Sequence, residues 1–107
     1  MNKIIYTLIT FITFSCISFS ANAAYIRGMT SCGKWTSDKQ DMTIRHGQRM
    51  WLLGYLSGVS DIVDTDVLKN TDVESIALWM DNYCQTNPLK DTSDGAAKLF
   101  KELQTKK

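Results

Sequence analysis

Residues 51–61 read WLLGYLSGVSD, an apolar run that nevertheless carries glycines at 54 and 58. Glycine inside a helix loses about 1 kcal/mol against alanine at each site. Three readings fit such a segment. It is a helix approached closely by another backbone, a membrane helix with a G-x-x-x-G face, or no helix at all. Its surroundings decide among them. Leu52, Tyr55, Leu56, Val59, Ile62 and Val63 recur at helical spacing, so a helix is predicted over about 41–63. A membrane span needs about 20 apolar residues, and here Arg49 and Asp61 bracket a much shorter stretch. The membrane reading fails.

On that helix Gly47, Trp51, Gly54 and Gly58 form one stripe, separate from the stripe of Leu52, Leu56 and Val59. The central helix is therefore expected to bury two faces, one bulky and one flat. The flat face, with Trp51, Tyr55, Gly54 and Gly58, is a close-packing groove. It is filled from within the domain, for instance by the ring of Trp79, or by a second subunit or client.

Further along, Thr71-Asp72-Val73-Glu74 fits a capping box with Thr71 as N-cap. Val73, Ile76, Ala77, Met80, Tyr83 and Cys84 then share one face until Pro88 stops the helix. A last helix follows a cap among Thr92, Ser93 and Asp94 and presents Ala96, Leu99, Phe100 and Leu103. Ser37 or Asp38 is a candidate cap for a short first turn carrying Trp35. There is no alternating apolar run and no Asn-Gly or Asp-Gly hairpin. The fold class is all-α: a small single-domain bundle of three to four helices.

Upstream of the bundle, Lys3, the apolar run from Ile4 to Phe14 and Ala21-Asn22-Ala23 compose a secretory signal peptide, cleaved after Ala23. A lipid-modified Cys16 is a lesser alternative, because Thr13-Phe14-Ser15 lacks the leucine that usually precedes such a cysteine. Removing 23 of the 107 residues leaves residues 24–107 as one domain. That part holds eleven acidic and eleven basic residues and is formally neutral. A neutral balance argues against nucleic acid. Its charges are segregated: Asp61, Asp64, Asp66, Asp72, Glu74 and Asp81 crowd the middle, and Lys98, Lys101, Lys106 and Lys107 close the chain.

Two cysteines remain, Cys32 and Cys84. An even count in a small exported domain reads as a disulfide. This one would close a loop of about 52 residues, worth about 4 kcal/mol of chain entropy, to a core that is marginal without it. Chemistry is harder to find. His46, the single histidine, lies beside Arg45 and Arg49 rather than near a nucleophile or an orienting carboxylate. Asp61, Asp64 and Asp66 lack the spacing of a calcium loop. One histidine and two pairing cysteines do not make a zinc site. No enzyme activity, cofactor or metal is expected.

Cys32 followed by Trp35, GYLSG at 54–58, YCQTNPL at 83–89 and the amphipathic last helix resemble the HdeA/HdeB family of periplasmic acid-stress chaperones, over roughly residues 32–103. The resemblance implies a small helical fold around one disulfide, often dimeric. It also implies a periplasmic chaperone whose apolar surface is exposed in acid to hold unfolding clients. Protonating eleven carboxylates and His46 would take the side-chain charge from zero to +12. The glycine stripe and the three tryptophans are similar instead to periplasmic immunity proteins that plug the cell-wall amidases of type VI secretion. Inhibition of such an amidase or of a lysozyme by direct binding is the alternative expectation.

Overall fold

The computed structural model describes residues 2–3 and 26–106. The signal-peptide, cleavage-site and Cys16 expectations lie largely outside the described residues. From Cys32 onward the described residues are helical and without strands: α1 (Cys32–Ser37), a 3-10 turn (Asp38–Gln40), α2 (Met42–Ile62), α3 (Val73–Thr86) and α4 (Thr92–Thr105). This is the small all-α domain its periodicity predicts.

Each helix starts on a side chain that accepts from otherwise orphaned amides. For α2 it is Asp41, bonded by the amides of Thr43 and Ile44, each at 3.1 Å. Three expected caps are displaced. Ser31, rather than Ser37 or Asp38, caps the helix of Trp35 by accepting from the Lys34 amide at 3.1 Å, while Asp38 opens the 3-10 turn that follows. Asp72, not Thr71, caps α3, because its carboxylate receives both the amide and the hydroxyl of Ser75. Glu74 is therefore free of the expected box and reaches Arg49 instead. Asp91 caps α4 and forms a capping box with Asp94, so Thr92 already lies in the first turn. At the other end of α3, Asn87 folds back on the Tyr83 carbonyl through both its amides, and Pro88 ends the helix as expected.

Packing is dictated by the apolar faces. α1 and α4 both pack on α3, and α2 crosses the group. Cys32 and Trp35 from α1, Leu52 and Leu56 from α2, Ile76 and Met80 from α3, and Ala96, Leu99 and Phe100 from α4 make the core. Val67 closes it from the α2–α3 loop. Cys32 and Cys84 are joined by a disulfide that binds α1 to α3 across 52 residues of chain.

The segment before α1 is also held. Thr92 donates its amide and its hydroxyl to the Thr30 carbonyl, at 2.8 and 3.0 Å, and its hydroxyl accepts from the Thr30 amide at 3.0 Å. Gly28 sits at φ +81°, where glycine has no steric penalty. A Cβ there would also stand 2.6 Å from the Trp51 ring.

Candidate functional site

Two features of the domain exceed what packing requires, and both involve α2. The first is a charge cluster inside the bundle. Arg45 occupies the face of α2 that also carries Leu52 and Leu56, seven and eleven residues on, and is 7% exposed. Its guanidinium lies 4.6 Å from the centre of the Trp35 ring and donates to Asp81 Oδ1 at 2.6 Å. The Trp35 indole N–H donates to the same oxygen at 2.7 Å, and Lys39 approaches Oδ2 at 3.3 Å. One carboxylate thus ties α1, the 3-10 turn and α2 to α3. Burial alone would push the Asp81 carboxyl up. The bonds from Arg45 and Trp35, the Arg45 charge and Lys39 outweigh it and hold the carboxyl below its ordinary value.

This cluster was not singled out from the sequence. Asp81 reads there as one more member of an acidic middle, and its partners are 36 and 46 residues away. One signal was available: an arginine in register with Leu52 and Leu56 is a charge on a core face, and such a charge needs a partner.

The second feature is the opposite face of α2. Among the described residues, no atom beyond the glycine's own neighbours and helix backbone lies within 4 Å of where a Cβ at Gly47, Gly54 or Gly58 would stand. Among the described residues nothing fills this stripe from within the domain, and Gly47, Gly54 and Gly58 are exposed. Trp79 does not cross it either. That ring stacks on Tyr83 at 5.5 Å and donates to Glu102 Oε2 at 3.1 Å, toward α4. Trp51 and Tyr55 do belong to the α2 surface, with ring centroids 5.8 Å apart. The Trp51 indole holds the incoming chain by donating to the Arg27 carbonyl at 2.8 Å. Ile44, Met50, Ile62 and Val63 add exposed apolar area along the same helix and its end.

Asp61, Asp64 and Asp66 line an open hollow of about 500 Å³ at the C-terminal end of α2, together with Ser57 and Ser60. Among the described residues no group of three His, Cys, Asp or Glu side chains is arranged to hold a metal ion. His46 is exposed on α2. No described helix is long and apolar enough to cross a membrane. Compared with known proteins, the chain matches no family model, no curated protein and no solved structure.

Proposed function

We propose that this chain is a non-enzymatic periplasmic binding protein that protects other envelope proteins under acid or envelope stress. The observation that carries the reading is the Asp81 cluster. Acid neutralises the carboxylate but leaves Arg45 charged, with its side chain only 8% exposed. A buried charge stripped of its partner is strongly destabilising. The contact between α2 and the α1–α3 pair then loosens, as the side-chain charge climbs toward +12 and the domain repels itself. The Cys32–Cys84 bridge survives protonation and keeps α1 on α3. Acid therefore opens the bundle around Trp35, Leu52 and Leu56 without releasing every element, and the uncovered apolar surface takes up unfolding clients.

The test is aggregation of an unrelated protein in the presence of the mature domain. Suppression is expected near pH 3 and not at pH 7, and the Asp81→Asn variant is expected to suppress at a higher pH than the parent. Equal lack of suppression at both pH values refutes the reading.

A second reading is favoured by the open face of α2. A surface exposed without any acid trigger suits an inhibitor that binds a cell-wall-degrading amidase or lysozyme at neutral pH. Three glycines in one helix cost about 1 kcal/mol each, and nothing inside the domain offsets that cost at positions 47, 54 and 58. A partner backbone approaching along the stripe would. Tight binding to such an enzyme at pH 7, abolished by Gly58→Leu, distinguishes this reading from the first.

A further inference from the structure

We infer that the open face of α2 is covered by the same face of a second copy of this chain, the two helices antiparallel and Trp51 of each seated over Gly54 of the other. Along that face Ile44, Gly47, Trp51, Gly54, Gly58 and Asp61 follow one another at spacings of three and four residues in turn. That alternation is the seam of a two-helix coiled coil, in which each side chain enters a hole on the facing helix. Among the described residues, nothing beyond the helix's own backbone comes within 4 Å of a Cβ at Gly47, Gly54 or Gly58. The seam is present and its facing helix is not supplied by this domain.

The order of sizes along the seam names the occupant. Gly47 and Gly58 lie equally far from the point midway between Leu52 and Leu53, and so do Trp51 and Gly54. A two-fold axis at that point therefore pairs the seam with itself reciprocally, as the interface of a symmetric dimer requires. Gly47 meets Gly58 on both sides of the axis, so the backbones come close, and each Trp51 ring fills the hole over Gly54. A parallel pair would set Trp51 on Trp51 and hold the glycines apart across a gap. The Trp51 ring is also fixed beforehand. Its N–H donates to the Arg27 carbonyl and Gly28 lies against it, so little side-chain freedom is lost on association.

The surroundings of the seam favour the same order. Ile62 lies on the line of Ile44, and the two are 83% and 42% exposed. Antiparallel pairing brings Ile44 of each copy to Ile62 of the other and removes both from water. Charge separates the two orders as well. Asp61 ends the seam, Asp64 and Asp66 follow it, and among the described residues none of the three takes part in an ion pair. Parallel pairing would gather these acids from both copies at one end. Antiparallel pairing keeps the two groups apart by the length of a 21-residue helix, about 30 Å, far beyond a Debye length of about 8 Å. The dimer depends on neither functional reading above.

Sedimentation equilibrium of the mature domain at pH 7, disulfide intact, covers dissociation constants on the order of 1–200 μM. A dimer is expected within that range. Gly54→Leu should raise its dissociation constant at least about tenfold without lowering the helical circular dichroism or the melting temperature, because a side chain there meets nothing inside the domain. Met50 and Ser57, two turns apart on one flank of the seam, read the direction of pairing. Antiparallel helices bring Met50 of each copy to Ser57 of the other. Met50→Lys with Ser57→Lys should therefore weaken the dimer, whereas Met50→Lys with Ser57→Glu should not. A monomer at every concentration overturns the proposal and leaves the face to a foreign protein. A dimer that Gly54→Leu leaves intact also overturns it, since that dimer uses another face. Equal weakening by both charge pairs rejects the antiparallel order.

Discussion

Arg45 and Asp81 are 36 residues apart in sequence and 2.6 Å apart in the folded chain, and Trp35 donates to the same carboxylate oxygen. Both charges are largely removed from water, with side-chain exposures of 8% and 15%. The pair is an obligation as much as a support. Once the fold has buried Arg45, it must keep Asp81 ionised.

Asp81→Asn isolates the charge from the shape. The amide oxygen still accepts from Trp35, but Arg45 loses its counter-ion. Unfolding in urea at pH 7 should show a loss of about 3 kcal/mol, the low end for breaking a buried pair, because Asp81 is not wholly sealed. A loss comparable to that of an exposed ion pair would show that solvent already screens the cluster.

The same carboxylate dictates how stability varies with acid. Its pKa in the folded chain is lowered from the ordinary 3.8. The unfolded chain therefore binds the proton first as pH falls. The contribution is complete above the ordinary value and is lost on descent through the folded one. Asp72 moves in the same direction, through the side-chain and backbone bonds from Ser75. Melting temperatures of parent and Asp81→Asn should differ by a constant amount from pH 7 to about pH 4.5, then converge below about pH 3.5. A difference that persisted unchanged down to about pH 2 would show that the Asp81 carboxylate does not carry the acid response.

Glycine substitutions should separate by location. At Gly58 an added methyl meets nothing, so Gly58→Ala should stabilise the isolated domain by up to about 1 kcal/mol. At Gly95 it meets Met80 Sδ and the Tyr83 ring at 2.7 Å, inside packed structure. Gly95→Ala should cost about 1–3 kcal/mol. Denaturant midpoints compared with sedimentation profiles test both. A destabilising Gly58→Ala with unchanged assembly would contradict the open face.

Removing the bridge affects the unfolded chain most. Cys84→Ser should lower stability by about 2–5 kcal/mol, and mass spectrometry of the parent should find no free thiol at Cys32 or Cys84. Two free thiols in the purified protein would refute the pairing.

What could be read along the chain is what neighbours within four residues encode. Leu52, Leu56 and Val59 announce α2, Ile76, Met80 and Cys84 announce α3, and Pro88 ends it, because helical periodicity and backbone breakers act locally. The cysteine pairing was legible for a different reason: once Cys16 is set aside with the expected signal peptide, Cys32 and Cys84 have only each other. The caps of α3 and α4 were legible to within about one to three residues, whereas that of α1 was missed, Ser31 standing six residues before the expected Ser37. Ser, Thr and Asp cluster at each start, and only the path of the chain decides whether Thr71 or Asp72 meets the orphaned amides.

Tertiary structure alone decided the rest. The stripe of Gly47, Gly54 and Gly58 was visible in sequence, but whether a neighbour covers it depends on where α3 and α4 lie, and they pack on the other side of α2. Trp79, paired with that stripe on size alone, belongs to the α3–α4 cleft because its indole finds Glu102. Asp81 became the centre of the bundle only when folding carried Trp35, Lys39 and Arg45 to it. Periodicity says which face of a helix is buried; it cannot say against what, because that is settled by elements far away in the chain.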